Sequence, residues 1–170
     1  MLAVRDILVP VDFYDTSVNA LGYAAELARA FGARLHVLHV LEDAFALPAG
    51  TEGSLSACPR LAREAEEDAR RRLGALVSDR SPQPMVSVRI GNPAPAIVAH
   101  AEHIQASLIV MGTHGLRSKP AGAIGSVAAE LVGTAPCPVL TIRRQPNEAL
   151  VAVERSQTSN VRDFREPESV

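Results

Sequence analysis

Four times along this chain a short apolar segment gives way to a longer one with apolar residues at helical spacing, and a fifth apolar segment closes the series. Few folds accept that rhythm. Strand–helix alternation implies parallel strands joined by helical crossovers, with helices on both faces of the sheet. "ILVPV" (7–11) and "SLIVM" (107–111) are too uniformly apolar for strands with one wet face. They read as strands covered on both sides. "RLHVLHV" (34–40) and "PVLTI" (138–142) supply the second and last strands. "PMVSVRI" (84–90) alternates apolar with polar residues, which suits a strand near a sheet edge.

The helical faces follow from spacing. Leu21, Ala24, Ala25, Ala28 and Phe31 form the first, with Asp15, Thr16 or Ser17 as N-cap and Gly32 as the stop. Leu61, Ala65, Ala69, Leu73 and Leu76 line the second. Its "EAEED" and "RRR" runs read as a solvated face with local ion pairs. After a turn over Gly91–Pro95, Ile97, Val98, Ala101 and Ile104 face inward from the third. Val127, Ala128, Leu131 and Val132 recur on a fourth, over 126–134. Residues 42–59 are rich in Pro, Gly, Ser and Thr and are expected to be a long surface loop. The chain turns polar after Arg144. One domain over 1–144 is therefore expected, followed by a mobile tail over 145–170.

Composition removes several classes. Apolar residues make up 47% of the chain while aromatics make up 4%, with no Trp, so a packed aliphatic core is expected. The net charge of −2 lacks the basic character of a nucleic-acid binder. No apolar stretch approaches the roughly 20 residues of a membrane span. The start runs into "DILVPVD" without a secretory pattern. Cys58 and Cys137 are far apart and lack metal-ligand spacing. Reduced thiols in a cytoplasmic protein are expected.

In an open parallel sheet, ligands gather beyond the carboxyl ends of the strands, where strand order reverses. If the first and fourth strands are neighbours, Asp12 and the segment "MGTHGLRSKPAGAIGS" (111–126) share that crevice. Gly112 and Gly115 would let the backbone approach a ligand and take positive φ. Gly125-Ser126 opens the fourth helix, whose N-terminus suits a phosphate. Ser126 can cap that helix or bond a phosphate oxygen. Arg117 and Lys119 add positive charge, and no acid lies between Glu102 and Glu130. An alternative is that these are turn glycines and Ser126 a plain N-cap. No P-loop and no Gly-x-Gly-x-x-Gly fingerprint is present.

The spacing Gly112-x-x-Gly115, nine residues, Gly125-Ser126 resembles the nucleotide motif of the universal stress protein family. The similarity extends to "ILVPVDFYDTS", "LHVLHV", "GNPAPAIVAHA", "ASLIVMGTHG" and "GSVAAELVGTAPCPVLTIRR", across residues 5–144. It implies a three-layer α/β/α fold with a five-stranded parallel sheet of order 3-2-1-4-5, and, for the family's ATP-binding branch, ATP as ligand. The implied nucleotide residues include Pro10, Val11 and Asp12, with Asp12 at the adenine and ribose side. Val40, at the end of strand two, would present backbone to adenine; Met111 and Gly112 would lie against the nucleoside. His114 is a further ligand candidate, and Gly115, Gly125, Ser126 and Val127 would hold phosphates. The resemblance also implies a homodimer paired antiparallel through Val139 to Ile142. The spacer "LRSKPAGAI" departs from the family, because Pro120 and Gly122 oppose a regular helix there.

Other polar groups carry less. His36 and His39 should point to opposite strand faces. His100 and His103 read as surface residues. Asp12 and Asp15 have the chemistry to hold a metal on phosphates, but Asp12 is assigned to the nucleoside. No Gly-x-Ser-x-Gly elbow and no positioned general base is present, so hydrolysis is expected to be slow at most. The expectation is a regulatory, stress-responsive protein that binds ATP, with Mg or with AMP or another adenine nucleotide as variants. Its alternatives are an interaction module of the same fold without nucleotide, a slow nucleotide hydrolase and a flavin carrier.

Overall fold

A computed structural model of the chain describes residues 4–43, 58–113 and 124–143. Strands and helices alternate: β1 (Asp6–Pro10), α1 (Asp15–Phe31), β2 (Arg34–Glu42), α2 (Pro59–Val77), β3 (Met85–Gly91), α3 (Pro93–His103), β4 (Leu108–Gly112), α4 (Ser126–Thr134) and β5 (Val139–Ile142). All neighbouring strands pair parallel, in the order β3-β2-β1-β4-β5. The order runs outward in both directions from β1 and β4, so the reversal lies between them.

The alternation of side chains along each strand divides the interior in two. Ile7, Val9 and Val11 join Leu35, Val37 and Val110 beneath α1 and α2. Leu8, Leu38, Ile109 and Met111 face α3 and α4 on the other side. Ala20, Ala24, Ala25 and Ala28 let α1 lie close on the sheet, and Leu73 fills the space under α2. β3 is an edge strand, as its alternation predicts, and only Val88 along it is buried.

Several local expectations are corrected. Phe31 is 56% exposed because it ends α1, and Leu61 is 44% exposed in the first turn of α2. Val132 is 63% exposed because Ala128 and Leu131 supply the whole buried stripe of α4. None of Asp15, Thr16 and Ser17 is the N-cap of α1. That position falls to Tyr14, whose backbone is extended at φ −88 and ψ 157 and which makes no side-chain cap bond. The turn before α3 is shorter than expected, since Pro93 starts the helix, where its missing N–H costs nothing. β2 runs on to Glu42, held by β3 through the Glu42–Gly91 pair. Gly32 does stop α1: it takes φ 64, and the Ala33 N–H returns to the Ala28 carbonyl at 2.9 Å, a left-handed closure that favours glycine. Residues 44–57 of the loop expected over 42–59, and all of the tail expected over 145–170, lie outside the described residues.

Candidate functional site

The crevice forms where β1 stops and its neighbour does not. β1 pairs with β2 as far as Pro10–Leu38, and the Val11 N–H still reaches the Leu38 carbonyl at 2.8 Å. β2 continues past that point. Alternate residues of a strand turn their backbone groups to the same side. Val40 thus directs its N–H and C=O toward the side β1 has left, as Leu38 does one step earlier. Val40 is two residues short of the strand end, not at it.

Asp12 sits at the exit of β1. Its Oδ1 accepts the Tyr14 N–H at 3.1 Å and the Ser17 hydroxyl at 2.6 Å. Its own N–H lies 3.2 Å from that hydroxyl oxygen. This is the local turn an Asp side chain favours. Among the described residues both acceptor contacts fall on Oδ1, and none falls on Oδ2. Val11 is committed elsewhere: its side chain is 3% exposed in the core under α1 and α2, and its carbonyl faces His39 Nδ1 at 2.7 Å.

At the neighbouring strand, Gly112 has neither positive φ nor an open surface. A Cβ there would stand 2.9 Å from the Thr16 carbonyl carbon and 3.1 Å from the Ser17 nitrogen. Glycine is needed because β4 ends against the first turn of α1. Thr113 follows, 1% exposed. Its N–H donates to the Ile142 carbonyl at 3.0 Å, and its carbonyl accepts the Gly125 N–H at 2.7 Å. The start of α4 is thereby fixed beside the end of β4.

Gly125 is the N-cap of α4, at φ −62 and ψ 154, and Ser126 is the first helical residue. Ser126 is exposed and does not cap the helix. The first intrahelical bond runs from the Ala129 N–H to the Gly125 carbonyl. The N–H groups of Ser126, Val127 and Ala128 precede it and have no partner within the helix. They mark the positive end of the α4 dipole, at the carboxyl end of the sheet. Val40, Met111 and Val127 pack in one apolar cluster on the α3/α4 side. His114, Gly115 and the spacer up to Ala123 lie outside the described residues.

Three contributors escape the sequence pattern. Phe13 has φ 65. Its ring stacks on His39 with centroids 4.5 Å apart, and Arg72 Cζ lies 3.9 Å from its centroid. Arg70 pairs with Glu66 and Arg71 with Asp68, as a solvated face should. Arg72 instead reaches the β1–α1 turn. Burial first, then the nearby Arg72, hold the His39 imidazole below its ordinary pKa. His39 and His36 do serve opposite faces: His36 Nε2 meets Asp6 at 2.8 Å. Burial pushes the Asp6 carboxyl up, but hydrogen bonds from Arg34 and His36 outweigh it and hold the group below its usual value. Among the described residues no cluster of three or more His, Cys, Asp or Glu is arranged to hold a metal. No helix among them is long and apolar enough to cross a membrane.

The family profile described as "Universal stress protein family" matches residues 3–143. A universal stress protein of Thermus aquaticus is 34% identical over 142 residues, 82% of this chain and 98% of its own. The solved UspA of Lactobacillus plantarum superposes with TM-score 0.64 at 29% identity, over 82% of this chain and 98% of its own. A universal stress protein of Archaeoglobus fulgidus, solved in complex with dAMP, gives TM-score 0.55 at 24% identity, over 84% and 99%.

Proposed function

The chain belongs to the universal stress protein family, and on that premise we propose that it binds ATP between β1 and β4 as a nucleotide-dependent regulatory protein of stress responses. One observation carries the reading. The Asp12 carboxylate, the backbone edge at Val40 beyond the end of β1, the apolar Met111 and Val127, and the α4 N–H groups that have no partner within the helix all occupy the carboxyl end of one sheet at its order reversal. That arrangement offers a hydroxyl acceptor, an apolar wall for a base and an anion-binding helix end. The dAMP in the Archaeoglobus relative supports an adenine nucleotide as the ligand class. Asp12 Oδ2 would accept a ribose hydroxyl, and Gly125, Ser126 and Val127 would face phosphate. A magnesium ion would sit on the phosphates rather than in a protein cage.

We assign the homodimer contact to β5. Among the described residues it is an edge strand, and Leu140 on it is 39% exposed; a sheet edge of this kind is a ready template for a second strand.

The test is direct. Freshly purified protein is denatured, and any released nucleotide is identified by chromatography and mass. Calorimetry with ATP, AMP and cyclic AMP then ranks the ligands. Gly125→Ala adds one methyl group at a φ open to any residue, so weaker ATP binding would report the ligand space rather than backbone strain. Undiminished affinity in that variant would count against the phosphate assignment. Absence of binding by the native chain would leave an interaction module of the same fold.

A further inference from the structure

A single side chain braces both neighbours of Asp12. His39 lies 2.7 Å through Nδ1 from the Val11 carbonyl. A carbonyl only accepts, so Nδ1 carries the proton. The same ring stacks against Phe13, with centroids 4.5 Å apart and planes 49° apart. Phe13 stands at φ 65, a region that bulky residues rarely enter and that persists only where surrounding contacts enforce it. Arg72 supplies a second contact on that ring from α2, at 3.9 Å. A guanidinium over an aromatic face is attracted by the ring quadrupole.

The hydrogen bonds from Tyr14 and Ser17 fix the carboxylate within its own turn. They do not by themselves fix the turn against the sheet. His39 does so from β2, through the Val11 carbonyl and the Phe13 ring, and Arg72 does so from α2 through Phe13. Arg70 and Arg71, the neighbours of Arg72, are occupied by acids on their own helix. Arg72 therefore has a different task, although it stands in the same basic run.

We propose that His39 and Arg72 are positioning residues which, through Phe13, set the Asp12 carboxylate for recognition of ribose hydroxyls. The proposal rests on the adenine-nucleotide reading above. Its signature is selectivity rather than affinity. Loosening the turn weakens the contact to the hydroxyls and leaves the phosphate contacts at α4 unchanged.

The experiment measures dissociation constants for ATP and 2′,3′-dideoxy-ATP by calorimetry, on the native chain and on Arg72→Ala, Arg72→Lys and Phe13→Gly. Arg72 is exposed on a helix, so alanine is compatible with folding there. Glycine adopts the φ of Phe13 without strain, so that variant removes the ring while retaining the backbone. The native chain should prefer ATP over the dideoxy analogue. In Arg72→Ala that preference should fall about threefold, the size of one exposed cation–π contact, with dideoxy binding unchanged. Arg72→Lys should restore most of it, and Phe13→Gly should lower it at least as far. A preference unchanged in Arg72→Ala, or equal weakening of both ligands, overturns the positioning role while leaving the nucleotide site intact. Failure of the native chain to bind either ligand overturns the site reading, and this proposal with it.

Discussion

Gly112→Ala tests the claim that this glycine serves packing rather than backbone freedom. The added Cβ would lie 2.9 Å from the Thr16 carbonyl carbon, 3.0 Å from its oxygen and 3.1 Å from the Ser17 nitrogen, whereas ordinary contact begins near 3.4 Å. The gaps must therefore open by about 0.3–0.5 Å at three points. All three atoms are backbone in the first turn of α1, where the Ser17 N–H is already bonded to the Tyr14 carbonyl at 3.0 Å. No flexible side chain can give way. Either the start of α1 lifts, or β4 retreats from its neighbours. Such overpacking costs about 1–3 kcal/mol. The control is Gly74→Ala within α2, where a Cβ meets nothing within 4 Å and helix propensity alone favours alanine by about 0.5–1 kcal/mol. Urea unfolding at fixed m-value reads both. The first variant should lose stability and the second gain it. Gly112→Ala within about 0.5 kcal/mol of the native chain, a margin typical of neutral surface changes, would refute the contact.

Leu73 is fully buried while Leu61 is 44% exposed, so Leu73→Ala should cost about 2–5 kcal/mol and Leu61→Ala almost nothing; equal losses by urea unfolding would contradict the assigned face of α2. His100 is 5% exposed, and neither ring nitrogen has a hydrogen-bond partner. Burial first, then the cations Arg89, His36 and His103, hold its pKa below the ordinary 6.5. Below that pH the unfolded chain binds a proton that the folded chain resists, so stability should fall as pH drops from about 6.5, and His39 acts in the same direction. His100→Leu should flatten that slope, and an unchanged slope would reject the assignment. Burial raises the Cys137 thiol pKa, so alkylation at pH 8 should be slower than that of a free peptide thiol, and an equal rate would show the thiol is accessible.

What the chain makes legible is periodic. The parallel sheet follows from apolar runs at Ile7–Val11 and in "SLIVM", because a strand buried on both faces leaves no alternation to disguise it. Helix α4 is found at its observed bounds because apolar residues recur along it at helical spacing. The position of Asp12 follows from the fold, since the residues that leave β1 must stand at the crevice. Contacts between distant residues leave no such trace. Nothing in "RRR" separates Arg72 from Arg70, because the difference is made by a ring at residue 13. His100 looks like a surface residue until α3 is laid on the sheet. The reason for Gly112 is likewise invisible, since the atoms it avoids belong to α1. Ser126 reads as a cap because its residue type favours one, yet Gly125 has the extended backbone of the N-cap.

A nucleotide regulates a protein only if its site is mechanically joined to a surface that others read, and only if two arrangements bind it differently. Thr113 supplies such a join. Its carbonyl holds the Gly125 N–H at the start of α4, and its N–H holds the Ile142 carbonyl at the end of β5. It is 1% exposed, so it has no room to absorb a displacement of one neighbour without passing it to the other. A phosphate drawn to the α4 N-terminus would therefore act on the residue that anchors the edge strand proposed for dimer pairing. His39, Phe13 and Arg72 tie Asp12 to β2 and α2, away from β5. On the proposed reading the nucleoside would be recognised beside β1 and β2 and the phosphates would act beside α4 and β5, so a ligand without a phosphate chain should occupy the first region without engaging the second.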